Sequence, residues 1–141
     1  MIKIRPFGII LLLGLCLSCN GSDDNPLNCD NALIISSFQY SNAQSAVIEI
    51  NTIEIDGDVL TVQISSGGCN GETWNLCLID SEAILESFPP QRHLRFTLQN
   101  NESCLAYLSR TFSYDISALQ TEGNSVVLHI DDYEDSLLYS Y

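Results

Sequence analysis

From Asn31 to Tyr141, apolar and polar residues alternate with a period of two along most of the chain, the spacing of strands that bury one face. Val59-Leu-Thr-Val-Gln-Ile64 is the clearest stretch: Leu60, Val62 and Ile64 fall on one side, Thr61 and Gln63 on the other. Residues 47–55 are rich in β-branched side chains, and the Asp56-Gly57 that joins the two stretches tolerates positive φ at both turn positions. A hairpin over 47–64 is therefore expected. Further strands are predicted over 33–40, 73–79 (Trp74, Leu76 and Leu78 inward), 92–98 (Leu94, Phe96 and Leu98 inward), 105–114, 125–130 and 137–141. Gly67-Gly68, Pro89-Pro90, Asn100-Asn101 and Gly123-Asn124 punctuate them. Residues 80–87 are expected to wind one helical turn or loop, and 116–120 to form a helical turn after Asp115. Eight short strands with almost no helical periodicity predict an all-β domain, a single immunoglobulin-like β-sandwich over 31–141, with a small β-barrel as the alternative.

The first 18 residues follow a different rule. Lys3 and Arg5 precede an eleven-residue apolar run, 7–17, which ends at the small residue Ser18. That is the layout of an export signal peptide, and a helix of that length, about 16 Å, falls well short of a hydrocarbon core of about 30 Å. Without residues 1–18 the chain keeps all 18 acidic residues against Arg92, Arg95 and Arg110, a formal charge of −15 compared with −13 for the whole chain. Such a chain lacks the clustered cations that phosphate contacts need, so nucleic acid is excluded as a partner. Attachment to anionic lipid through charge is excluded by the same balance.

Leu15-Cys16-Leu17-Ser18-Cys19 resembles the lipobox of bacterial lipoproteins. The resemblance implies cleavage before Cys19 and acylation (palmitate-type chains) of Cys19, with Cys16, behind the bulky Leu15, the weaker acceptor. Two or more acyl chains would hold the protein stably at a membrane, each buried methylene contributing about 0.8 kcal/mol. Residues 19–30 would then be a lipidated tether, since Asn20-Gly-Ser-Asp-Asp-Asn25 is polar and free of hydrophobes. Its Ser22-Asp23-Asp24 resembles the acidic tag of surface-exposed lipoproteins in the Bacteroidetes group, which implies an outer-membrane location in the cell envelope.

Four cysteines remain after processing: Cys29, Cys69, Cys77 and Cys104. There is no Cys-x-x-Cys pair among them, and export favours oxidation over a zinc site. Four cysteines allow three connectivities. The preferred one is Cys69 with Cys104 and Cys29 with Cys77. Its rival joins Cys69 to Cys77 across the Gly-rich turn between them.

Gly67-Gly-Cys-Asn-Gly71, Trp74-Asn-Leu76, Ser87-Phe-Pro-Pro-Gln91, Cys104-Leu-Ala106 and Phe112-Ser-Tyr-Asp-Ile-Ser-Ala-Leu119 together resemble a group of small bacterial lipoproteins with no assigned activity. The resemblance covers about residues 60–119 and implies a Cys69–Cys104 pair, the two cysteines that are shared. It brings no catalytic residue with it.

Four other features carry candidate chemistry. Asp131, Asp132, Glu134 and Asp135, beside His129, could gather a hard cation such as Ca²⁺, but the spacing fits no EF-hand loop and a solvated acidic turn explains it better. In Arg92-His93-Leu94-Arg95 the two arginines point to opposite faces, so pairing with nearby acids is favoured over an anion site. Asp135-Ser136-Leu137 resembles the acceptor for O-linked glycans in exported Bacteroidetes proteins. Pro89, Pro90, Gln91 and Arg92 form a candidate interaction loop whose prolines reduce the entropy lost on docking.

There is no Gly-x-Ser-x-Gly elbow, His-Glu-x-x-His pair or phosphate loop, and no cofactor is called for. The expected function is that of a non-catalytic, lipid-anchored envelope module that binds an envelope protein or glycan. The alternative is a secreted inhibitor or accessory subunit of an envelope enzyme, presenting residues 87–92.

Overall fold

A computed structural model describes Leu27, Cys29 and residues 32–141. The signal, Cys19 and the acidic tag lie outside the described residues. The element order is β1 (Leu33–Ile35), α1 (Ser37–Asn42), β2 (Glu49–Asp56), β3 (Val59–Gly68), β4 (Asn75–Leu85), β5 (Gln91–Gln99), β6 (Ala106–Asp115), a 3₁₀ turn (Ser117–Leu119), β7 (Ser125–Ile130) and β8 (Leu137–Ser140). They form two separate sheets, ordered β1-β4-β5-β7-β8 and β2-β3-β6, so the fold is a sandwich and not a closed barrel. Two parallel pairs, β1 with β4 and β5 with β7, depart from the fully antiparallel immunoglobulin arrangement.

The period-two pattern explains the core. Leu60, Val62 and Ile64 of β3 pack against Leu76 and Leu78 of β4, Leu94, Phe96 and Leu98 of β5, and Val126, Leu128 and Ile130 of β7. Tyr114 of β6 ties the two sheets together. Its hydroxyl donates to the Leu76 carbonyl at 2.6 Å, and burial pushes its pKa up. Gly57, with φ of 56°, makes the tight β2–β3 turn.

Two segments differ from expectation. Residues 33–40 were expected as one strand, but only Leu33–Ile35 pairs with β4, and Ser36 then caps α1, its Oγ accepting from the Gln39 N–H at 3.3 Å. The helical turn places Tyr40 and Ala43, three residues apart, against Ile79 and the Cys29–Cys77 pair in a second apolar cluster. β4 is therefore covered on both faces, which accounts for its uninterrupted Leu76-Cys-Leu-Ile79 run.

Residues 80–87 were expected to leave the sheet. Instead β4 continues to Leu85 past a bulge, where residues 81–83 face only His93 between the pairs Asp80↔Leu94 and Ile84↔Arg92. Glu82 takes φ of 68° there, and its N–H donates to Asp80 Oδ1 at 2.7 Å.

Candidate functional site

Both ends of the sandwich carry organised polar structure. At one end, the loop after β3 turns back on itself and directs successive backbone N–H groups at one carboxylate. Glu102 Oε2 accepts from the N–H groups of Cys69 (2.5 Å), Asn70 (3.1 Å) and Gly71 (2.9 Å), while Oε1 accepts from Thr73 Oγ1 at 2.9 Å. This is an anion-binding nest filled by the chain's own carboxylate. The Gly71 N–H first, with Thr73 and the other loop donors, holds the Glu102 carboxyl down at about 2.

Two glycines permit the arrangement. A Cβ on Gly68 would lie 2.6 Å from Glu102 Oε2 and 3.0 Å from Trp74 Nε1, and Gly71 has φ of 70°. The Cys69–Cys104 disulfide closes the same loop, with its Cα atoms 4.8 Å apart. The Gly-rich run is a turn that ends β3 and carries a disulfide, and Glu102 occupies its backbone donors. Nothing in the sequence marks Glu102 beyond an acid two residues before Cys104.

The Cys29–Cys77 disulfide, with Cα atoms 5.4 Å apart, sits near this end, where the chain enters the domain. Cys77 is the third residue of β4 and Leu85 closes the strand eight residues later, a span of roughly 25 Å at about 3.3 Å per residue. The β4–β5 hairpin tip is therefore at the far end from the point of entry.

That tip holds the candidate interaction loop. Phe88 is 103% exposed, with Ile84 and Leu85 about half exposed beside it, and Phe88–Pro89 is a cis peptide. Ser87 Oγ donates to the Pro89 carbonyl at 2.6 Å and accepts from Gln91 Nε2 at 2.9 Å, which fixes the turn. A groove of about 550 Å³ runs alongside, lined by Ile84, Glu86, Ser87, Pro90, Thr121 and Glu122.

Pro89, Pro90 and Gln91 are half-buried. Arg92 is withdrawn altogether, contrary to its inclusion in the loop. It is 5% exposed and forms a bidentate pair with Asp80, Nε to Oδ2 at 2.9 Å and Nη2 to Oδ1 at 2.8 Å. The inward side of β5 carries Arg92, where the buried Asp80 carboxylate neutralises its charge. Arg95, on the outward side, donates to the carbonyls of Tyr40 (2.6 Å) and Ala43 (3.4 Å).

Asp131, Asp132, Glu134 and Asp135 are all exposed, and the Asp131 carboxylate accepts from the Tyr40 hydroxyl at 2.8 Å. Among the described residues, no group of three or more His, Cys, Asp or Glu side chains is placed to hold a metal. Ser136 is exposed just before β8.

These features define a class: an all-β, two-sheet sandwich braced by two disulfides, with an apolar hairpin tip remote from its point of entry. Among solved structures, the chain is similar to a protein of unknown function, DUF1344, from Bacteroides vulgatus, with a TM-score of 0.53 and 19% identity over 78% of this chain and 56% of that one. It is also similar to a protein provisionally described as toxin-related from Parabacteroides distasonis, with a TM-score of 0.50 and 15% identity over 78% of this chain and 60% of that one. The chain thus spans less than two thirds of either structure, and at these identities the likeness is one of fold alone. No family model and no curated protein matches the sequence.

Proposed function

We propose that the protein is a lipid-anchored, non-catalytic module of the cell envelope, held at the outer membrane by acyl chains on Cys19 and presenting its hairpin tip to an envelope protein or glycan. The observation that carries this reading is the export signal ending at Ser18-Cys19, followed by a polar tether that runs into a disulfide-fastened domain. The geometry supports it, because the tether enters near Cys77 and the exposed Phe88 lies at the opposite end of β4. Two disulfides suit an oxidising, exported setting. Membrane fractionation with and without Cys19→Ser tests the anchor: wild type should sediment with membranes, and the variant should be released. A wild-type protein found entirely in the soluble fraction would defeat the proposal.

One observation favours the alternative, an inhibitor or accessory subunit. A fully exposed Phe on a fixed turn is what an element that inserts into an enzyme cleft presents. Replacing residues 87–91 with a Gly-Ser linker should abolish inhibition of a partner enzyme while leaving the fold intact.

A further inference from the structure

We infer that His93 and His129 form a two-imidazole site for a divalent transition-metal ion of borderline softness, with Cu²⁺ bound most tightly. The chain has only these two histidines, and the parallel β5–β7 ladder sets them directly opposite each other. Their rings stack with centroids 5.0 Å apart and planes 22° from parallel. Both lie on the side of the five-stranded sheet opposite the core residues Leu94 and Leu128, and both are partly accessible.

The protonation pattern favours metal binding. His129 Nε2 lies 2.7 Å from Gln91 Oε1, an oxygen that only accepts, so Nε2 carries the proton and the neutral ring keeps its lone pair on Nδ1. A hydrogen bond from the second ring nitrogen to a carbonyl oxygen is the contact that orients metal-bound imidazoles. Two nitrogens bound at about 2.0–2.1 Å to one ion lie at most about 4 Å apart. The His93 ring, which the stack alone holds, therefore turns out of it about χ2, a broad torsion in histidine, while Gln91 keeps the His129 ring in place.

Two residues on from each imidazole, Arg95 and Asp131 are engaged elsewhere: Arg95 on the Tyr40 and Ala43 carbonyls, Asp131 on the Tyr40 hydroxyl. Neither supplies a third ligand, so water completes the coordination. Nitrogen-only donors select Cu²⁺, Ni²⁺ and Zn²⁺ over Ca²⁺ and Mg²⁺, and Cu²⁺ stands highest in the affinity order.

The test is titration of the tag-free, disulfide-bonded protein with Cu²⁺, followed by calorimetry and electron paramagnetic resonance. A single ion per chain is expected, with nitrogen splitting from two imidazoles. His93→Ala or His129→Ala should remove the two-nitrogen spectrum, and Gln91→Leu should retain it while weakening binding by roughly 10-fold. As a readout that needs no variant, Zn²⁺ should shift both imidazole resonances together, reaching completion at one equivalent. Cu²⁺ affinity unchanged in the His93→Ala/His129→Ala double variant would overturn the inference, as would a single-nitrogen spectrum in the wild type or Zn²⁺ shifts confined to one ring.

Discussion

Arg92→Met tests the buried ion pair at the hairpin's base. Asp80 has no exposed side-chain surface, and the Arg92 side chain is 6% exposed. The Asp80 carboxylate accepts three hydrogen bonds, two from Arg92 and one from the Glu82 N–H. Removing the guanidinium leaves a buried carboxylate with the Glu82 contact alone. Breaking a buried pair from one side costs roughly 3–5 kcal/mol, a large share of a typical domain stability of about 5–15 kcal/mol. For a domain of this size that corresponds to a fall in Tm of roughly 15 °C or more. Urea unfolding under non-reducing conditions would measure it. The double variant Asp80→Leu/Arg92→Met should recover most of the loss, because an apolar pair of suitable volume carries no stranded charge. An Arg92→Met protein within about 1 kcal/mol of wild type would refute the reasoning, for then the charge is not buried as the structure has it. Loss of partner binding with unchanged stability would instead return Arg92 to the interaction loop.

Other consequences follow from the nest and the tip. Because the folded Glu102 carboxyl is held at about 2 against an ordinary 4.5, its contribution to stability is complete above about 4.5 and is lost as pH falls toward 2. Glu102→Gln should flatten that part of an acid-unfolding curve, and carboxyl NMR titration would read the depressed value directly. Gly68→Ala forces a methyl group against Glu102 and Trp74 and should cost about 1–3 kcal/mol in chemical denaturation, whereas Gly67→Ala, whose Cβ meets nothing closer than 4.0 Å, should cost less. Phe88→Ala should leave Tm unchanged, since the ring is fully exposed, while the proposed function predicts weaker capture of a partner in a pull-down from native membranes.

Where a strand buries one face and exposes the other, the sequence was enough to place it. β3, β5 and β7 follow their period-two patterns, and Asp56-Gly57 turns where its chemistry requires. The misread segments are those decided by distant partners. α1 is six residues long, and it forms because Tyr40 and Ala43 find Ile79 and the disulfide beneath them, contacts that no local pattern announces. Asp80 resembles the end of a strand until Arg92, twelve positions away, is seen to neutralise it inside the sandwich. The same holds at the sites. Alternation puts His93 and His129 on outward faces, but only the parallel β5–β7 pairing brings them together. Glu102 has no sequence signature, because backbone N–H groups supply its partners and every residue but proline has one.

Lipid attachment at Cys19 is read most directly from the intact mass of the protein extracted with detergent from its own membranes. The lipid-anchored reading predicts a chain that begins at Cys19, with its two disulfides formed and a diacylglyceryl group and an amide-linked acyl chain added. A mature chain that begins elsewhere, or one that begins at an unmodified Cys19, would contradict it.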